Sequence, residues 1–175
     1  MLSAGRLTDD QNVDVLLEAL DRVARRYDAT LGVIEDALQA SALRERVASL
    51  DHADRVYFLG FLKCTRTCLA TRVFASPSVR EGFGITFLEA LAAHCTVVAA
   101  EAPNSAASEI IGDAGFVVDH TVSGAADTLD VHLAVSVRRR VRQSVPHDST
   151  GMSLHRRLMR SIAGQSPSSR NGEPR

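Results

Sequence analysis

The sequence predicts an α/β fold in which helices cover both faces of a parallel sheet. Short apolar runs rich in β-branched residues, such as residues 96–100, alternate with longer segments whose apolar residues recur at helical spacing. A continuous apolar run of this kind is typical of a strand buried on both faces. Because strands and helices alternate along the chain, a parallel sheet is favoured over an antiparallel one.

The first elements are a short strand and an amphipathic helix. Residues 1–4 predict the strand, which ends at Gly5, and the helix is expected from Asn12. The apolar residues of this helix fit one face and predict its packing against the sheet; they are Val13, Leu16, Leu17, Leu20 and Val23.

The next elements continue the alternation. Residues 30–34 predict the second strand, residues 35–50 a helix with Leu38 among its inward positions, and residues 55–61 the third strand. Residues 62–72 then form a short polar segment before the next strand.

The centre of the chain is a strand, a glycine-containing loop, a helix and a second strand in immediate succession. Residues 73–76 predict the first strand, closed by Pro77, and residues 80–84 form a turn with two glycines. Residues 85–93 have helical spacing, and residues 96–100 predict the second strand. The loop therefore lies at the carboxyl end of a strand, where open α/β sheets bind ligands.

The last elements precede a change of composition. Residues 115–118 predict the final strand and residues 123–135 a final helix. Arg, Ser and Pro then dominate. We therefore expect an α/β domain over residues 1–137 and a basic, partly disordered tail over residues 138–175.

Charge separates these two segments. Residues 1–137 hold 11 basic and 19 acidic residues, whereas residues 138–175 hold 9 arginines and 2 acidic residues. Such a basic end favours an anionic membrane surface or nucleic acid, and it is also typical of a solvated tail. We expect peripheral membrane contact through the tail and no nucleic-acid partner.

The expected localisation and the redox state of the cysteines follow from three patterns that the sequence lacks: a membrane span, a signal peptide and a zinc site. No apolar run approaches the ~18 residues of a membrane span, and no signal peptide is evident, so we expect a cytoplasmic protein. Cys64, Cys68 and Cys95 lack the spacing of a zinc site and are expected as reduced thiols. No Asp-x-Asp metal motif occurs, and we expect no metal and no cofactor.

Two carboxylates bracket the central loop. Glu81 stands at its entry, and Glu89 follows eight residues later on the helix. Around Gly84, Ile85 and Thr86 the first-turn N–H groups have no helical partner, so this terminus favours a phosphate. A phosphate between two carboxylates suits a sugar nucleotide, although a glutamate before such a turn is also common on a solvated surface.

The stretch EGFGITFLEA, residues 81–90, resembles the E-x7-E signature of retaining glycosyltransferases of family 4, the glycosyl transferases group 1 family. The flanking stretches FASPS, VVAA and DAGFVVD also match, and the resemblance covers roughly residues 1–134. It implies a Rossmann-like parallel sheet with helices on both faces, the C-terminal half of a GT-B fold, with the N-terminal half absent. Residues 1–137 would then bind a nucleotide sugar.

The resemblance also implies roles for individual residues. Glu89 would bind the ribose hydroxyls, Glu81 the hydroxyls of the donor sugar, and Arg6 the diphosphate of a UDP- or GDP-sugar. The remaining residues assigned to donor binding are Gly82, Phe83, Gly84, Ile85, Thr86 and Gln11, the last standing where the family has a lysine. The implied reaction, within glycan biosynthesis, transfers a hexosyl group with retention of configuration.

The alternatives belong to different classes. The chain is expected to be inactive alone and to require an acceptor-binding N-terminal domain on another chain. Its departures from the family pattern, which include Gln11 and a missing glycine-rich loop after Ile34, favour a non-catalytic remnant that binds nucleotide weakly or not at all. An interaction module that uses the basic tail is the third hypothesis. Glycoside hydrolysis and dehydrogenase chemistry are disfavoured, because the flanks do not fit the first and Gly-Phe-Gly lacks the third glycine of the second.

Overall fold

The computed structural model of the chain describes residues 1–5, 9–34, 40–60 and 62–142, which contain eight strands and six α-helices. The strands are β1 (Leu2–Ala4), β2 (Leu31–Ile34), β3 (Val56–Phe58), β4 (Val73–Ser76), β5 (Arg80–Glu81), β6 (Thr96–Glu101), β7 (Asn104–Ser105) and β8 (Gly115–Asp119). The α-helices are α1 (Val13–Ala24), α2 (Ala40–Ala48), α3 (Cys64–Cys68), α4 (Ile85–Ala92), α5 (Ala107–Ile111) and α6 (Val122–Arg142). Short 3-10 turns occupy Asp9–Gln11, Ala53–Arg55 and Gly112–Ala114.

Six of these strands form one parallel sheet in the order β3-β2-β1-β4-β6-β8. Strand β1 lies in the middle, where Leu2 is in register with Gly32 of β2 on one side and Phe74 of β4 on the other. The strand order reverses between β1 and β4, as in doubly wound nucleotide-binding domains. The predicted Rossmann-like parallel sheet is confirmed.

Helices pack on both faces of this sheet. Along β4, Val73 and Ala75 lie on the face of the sheet covered by α1 and α6, whereas Phe74 lies on the face covered by α3, α4 and α5. Both cores contain fully buried side chains, with Leu17 and Leu129 on the first face and Phe87, Cys68 and Ile111 on the second. Each fully buried leucine or phenylalanine contributes about 1.5–3 kcal/mol of transfer free energy.

Several element bounds differ from those expected. Helix α6 continues to Arg142 instead of ending near residue 135, and β3 ends at Phe58. Helix α2 is described from Ala40, and residues 35–39, which include Leu38, lie outside the described residues, as does Phe61. The pairing of β5 with β7 was not expected from the sequence.

The domain described here falls within one compact unit, Met1–Gln143. Residues 143–175 lie outside the described residues, so the boundary at residue 137 and the disordered basic tail stay predictions. In the part of the chain that is described, no helix combines the length and apolar composition needed to cross a membrane.

Candidate functional site

The candidate site lies where the strand order reverses. The carboxyl ends of β1 and β4 meet at this point, and the chain leaves them through Gly5 and Pro77 respectively. Loops that follow two such strands run to opposite sides of the sheet and leave a crevice between them. The 3-10 turn at Asp9–Gln11 and the loop between β4 and α4 form its walls.

This crevice is an open cavity of about 540 Å³, within the ~300–1,000 Å³ range typical of small-molecule sites. Its lining comprises Ala4, Gly5, Asp10, Gln11, Arg80, Glu81, Gly82, Phe83, Ile85 and Thr86. Six of the residues predicted from the sequence therefore come together here: Gln11, Glu81, Gly82, Phe83, Ile85 and Thr86. Arg6, the predicted diphosphate ligand, lies outside the described residues.

Glu81 shapes the loop as well as lining the cavity. Its carboxylate Oε1 accepts a hydrogen bond from the N–H of Gly84 at 3.0 Å. Its carbonyl accepts another from the N–H of Ala106 at 2.9 Å, which joins β5 to the segment that follows β7. The side chain is half-buried, and Oε2 has no protein partner among the described residues. One carboxylate oxygen thus holds the loop while the other is available to a ligand.

Gly84 is the N-terminal flanking residue of α4 and adopts a left-handed conformation with φ of 53°. A Cβ at this position would lie 2.6 Å from Ile110 Cδ1 and 2.8 Å from Phe87 Cδ2. Both the conformation and the close approach therefore require glycine. Gly84 is buried and is not among the residues that line the cavity.

The first turn of α4 presents polar backbone and apolar side chains to the cavity. The N–H groups of Ile85 and Thr86 cannot be satisfied by preceding helical carbonyls, and the helix dipole makes this end positive. The side chains of Phe83 and Ile85 are 86% and 64% exposed. Leu88 is also exposed, so the helical spacing that predicts α4 does not mark its buried face, which carries Phe87 and Ala90.

Ser78 connects the two walls of the cavity. It is buried, and its Oγ accepts a hydrogen bond from Gln11 Nε2 at 3.2 Å. The same hydroxyl donates to the carbonyl of Arg80 at 3.1 Å. The N–H of Val79 donates to the carbonyl of Asp10 at 2.9 Å and reinforces the connection. The amide of Gln11 is therefore engaged with the protein.

Among the described residues that line the cavity, Arg80 carries the one positive charge and Asp10 and Glu81 carry negative charges. The guanidinium of Arg80 is largely exposed, and its Nη1 lies 3.8 Å from Asp10 Oδ2. A contact of this length between exposed groups is weak, so the arginine is free to turn towards an anion.

Glu89 lies on α4 outside the cavity lining. Its Oε1 accepts a hydrogen bond from Thr65 Oγ1 of α3 at 2.7 Å, and its side chain is half-buried. Sequence reasoning missed Thr65, Ser78 and Arg80. The position of Arg80 beside Glu81 was a signal for its involvement, whereas nothing local to Thr65 or Ser78 indicates the partners that they contact.

Three cysteine thiols lie close together at α3, next to the contact of Thr65 with Glu89. Cys64 Sγ and Cys68 Sγ are 3.4 Å apart on α3, and Cys95 Sγ donates to the carbonyl of Cys68 at 3.3 Å. Hydrogen bonding to Cys64 and then to Cys95, together with burial, raises the pKa of the Cys68 thiol well above its usual range. All three cysteines are free thiols.

The family model described as glycosyl transferases group 1 matches residues 1–134 of this chain. The chain is 30% identical over 131 residues to an alpha-monoglucosyldiacylglycerol synthase of Streptococcus pneumoniae, an alignment that covers 71% of this chain and 30% of the relative. It thus spans about a third of the length of the curated relatives that it matches.

Solved structures give the same result for the fold. The C-terminal domain of a glycosyl transferase group 1 family protein (LpcC) from Francisella tularensis superposes with a TM-score of 0.67 and 25% identity, covering 81% of this chain and 80% of that one. HepE of Anabaena, solved in complex with UDP and glucose, superposes with a TM-score of 0.69 and 23% identity, covering 78% of this chain and 39% of that one. The chain belongs to the glycosyl transferases group 1 family and has the fold of the C-terminal domain of GT-B glycosyltransferases.

Proposed function

We propose that this chain is the donor-binding domain of a retaining glycosyltransferase of family 4, which transfers a sugar from a nucleotide diphosphate to an acceptor. The observation that carries the proposal is the cavity between β1 and β4, because six residues that the resemblance assigns to the donor line it. The HepE structure, which holds UDP and glucose, supports a UDP-sugar as the donor; a GDP-sugar is the alternative.

Transfer breaks the bond between the anomeric carbon and the diphosphate, so the leaving group acquires negative charge. In the proposed arrangement the N–H groups of Ile85 and Thr86 bind this charge at the positive end of α4. Arg80 adds a guanidinium at the cavity mouth, and Arg6 has the same role by resemblance. Gln11 brings no charge, because its side chain is a neutral amide, and its Nε2 donates a hydrogen bond to Ser78.

The sugar and the ribose are proposed to bind the two glutamates. Glu81 Oε2 faces the donor sugar's hydroxyls while Oε1 holds the loop through Gly84. Glu89 accepts hydrogen bonds from the ribose hydroxyls. Carboxylates suit both tasks because, when ionised, they accept hydrogen bonds without donating any.

Thermal unfolding of the full chain with UDP, GDP and their sugar conjugates tests this proposal. A ligand that binds only the folded state stabilises it by about 2.7 kcal/mol at a hundred times its Kd. For a domain of this size we expect a Tm increase of roughly 5–10 °C with one nucleotide. The increase should be lost in Glu89→Ala and retained in Glu109→Ala, a matched exposed glutamate on α5.

A cooperative transition that no nucleotide shifts would contradict donor binding. That result would instead favour the second candidate, a non-catalytic remnant of such an enzyme, for which the bound amide of Gln11 is the supporting observation. In the first candidate, transfer itself also requires an acceptor-binding N-terminal domain.

The basic end of the chain supports a further part of the proposal, contact with the cytoplasmic face of a membrane. Residues 138–175 hold 9 arginines against 2 acidic residues, and the S. pneumoniae relative is named for a diacylglycerol product. Sedimentation with anionic vesicles should therefore capture the full chain at low salt, and removal of residues 138–175 should abolish the capture. Capture that persists after this removal would contradict the assignment.

A further inference from the structure

A hydrogen bond joins Glu89 to a residue that neither the motif nor the resemblance assigns. Thr65 Oγ1 donates to Glu89 Oε1 at 2.7 Å, across 24 residues of sequence and between helices α3 and α4. This distance is ordinary for a hydrogen bond between a hydroxyl donor and an oxygen acceptor. We infer that Thr65 is a positioning residue, which orients Glu89 towards the ribose hydroxyls of the nucleotide donor; the inference rests on the proposed function.

Helix α3 holds Thr65 in place although it has only five residues. At its end Cys68 is fully buried, and its carbonyl accepts the hydrogen bond from Cys95 Sγ. Thr67 is also buried, and its hydroxyl donates to the carbonyl of Lys63 at 3.2 Å. Because a single helical turn has little stability of its own, α3 is held in place by the tertiary contact of Cys68 with Cys95, whereas the Thr67 hydrogen bond stays within the helix.

A fixed donor matters because Glu89 is a half-buried side chain with several rotatable bonds. A carboxylate that is already held in one rotamer loses less conformational freedom when a ligand binds. Thr65 occupies Oε1, whereas Oε2 has no protein partner among the described residues. Glu89 is therefore held by one oxygen and offers the other.

The type of residue at position 65 also fits a positioning role. Threonine donates one hydrogen bond and carries no charge, so it forms no ion pair with the carboxylate of Glu89. A lysine or arginine at this position would form an ion pair with Glu89 and compete with the ribose hydroxyls for it. The alternative is that the hydrogen bond only stabilises the packing of α3 against α4 and has no role in ligand binding.

Calorimetric titration of the full chain with UDP and with 2′,3′-dideoxy-UDP, which lacks both ribose hydroxyls, tests the inference. Thr65→Val keeps the size of the side chain and removes the donor, and Thr65→Ser keeps the hydroxyl. We expect Thr65→Val to weaken UDP binding about three- to tenfold and Thr65→Ser to weaken it by less than about twofold. Neither substitution should change the affinity for the dideoxy nucleotide.

Glu89→Gln separates this inference from the proposed function. Suppose that the wild-type chain binds UDP more tightly than the dideoxy nucleotide and that Glu89→Gln removes this difference. If Thr65→Val then leaves the difference unchanged, the role of Thr65 is overturned while that of Glu89 stands. An equal loss for both nucleotides in Thr65→Val also overturns the role of Thr65, because that result marks a purely structural contact. If the wild-type chain binds neither nucleotide, or shows no preference, the proposed role of Glu89 fails and the inference fails with it.

Discussion

At the residue scale, two glycines of one loop have different physical requirements. Gly82 is exposed, and a Cβ added to it would meet no atom within 4 Å. Gly84, two residues later, combines a positive φ with two close side-chain neighbours. The pattern Gly-Phe-Gly therefore contains one glycine that the fold requires and one that it does not.

We expect Gly84→Ala to lower the free energy of unfolding by about 1–3 kcal/mol, because alanine is strained at φ of 53° and its Cβ would displace the buried ring of Phe87. Gly82→Ala is the matched control and should stay within about 0.5 kcal/mol of the wild type. Urea denaturation of the three proteins measures both values. Equal stabilities for the two variants would contradict this account of the loop.

At the element scale, β8 and α6 pack through an aromatic contact that includes a titratable side chain. The rings of Phe116 and His132 lie 4.2 Å apart between centroids, with an angle of 55° between their planes. Burial lowers the pKa of His132 below its usual value of 6.5, because the charged imidazolium is less well solvated there.

This shift predicts a loss of stability in mild acid. Since the folded chain has the lower pKa, the unfolded chain binds more protons between the two pKa values, and stability rises with pH through that window. The contribution of neutral His132 to the free energy of unfolding is complete above about pH 6.5 and declines as the pH falls below that value. Denaturant unfolding at several pH values should show that His132→Gln reduces this dependence, whereas His120→Gln, at an exposed loop position, does not. An unchanged profile in His132→Gln would contradict the assignment.

The elements show which parts of the fold the sequence can predict. The runs that became β4 and β6 were predicted because a buried parallel strand needs only local apolar residues. The two-residue strands β5 and β7 are too short to produce any periodicity. They form because the fold places these two segments side by side, where they pair with each other. Spacing likewise identified α4 but not its buried face, since Ile85 and Leu88 share a side that no described element covers.

The site was predictable to the same extent. Residues close together in the chain, from Glu81 to Thr86, were recognised as one loop at a strand end, and the structure brings all of them except Gly84 to one cavity. The contacts of Gln11 with Ser78 and of Thr65 with Glu89 span 67 and 24 residues. Such pairs depend on how separate elements pack, which local patterns do not specify. Arg6 stays a prediction.

At the scale of the whole molecule, the sheet order makes the centre of the domain its most protected part. Strand β1 comes first in the chain but lies between β2 and β4, so it pairs only when later segments are in place. All residues of β4 are buried, whereas the three residues of the edge strand β3 are all half-buried. The edge therefore has fewer contacts to lose when it opens.

Native-state hydrogen exchange should reproduce this order. Amides of β4 and β6 should exchange only through global unfolding, because helices cover both of their faces, and their exchange should depend steeply on added urea. Amides of β3 should exchange faster and with little urea dependence, since this edge can open while the central strands stay paired. Exchange of β3 at the rate of β4 would mean that the sheet opens as one unit.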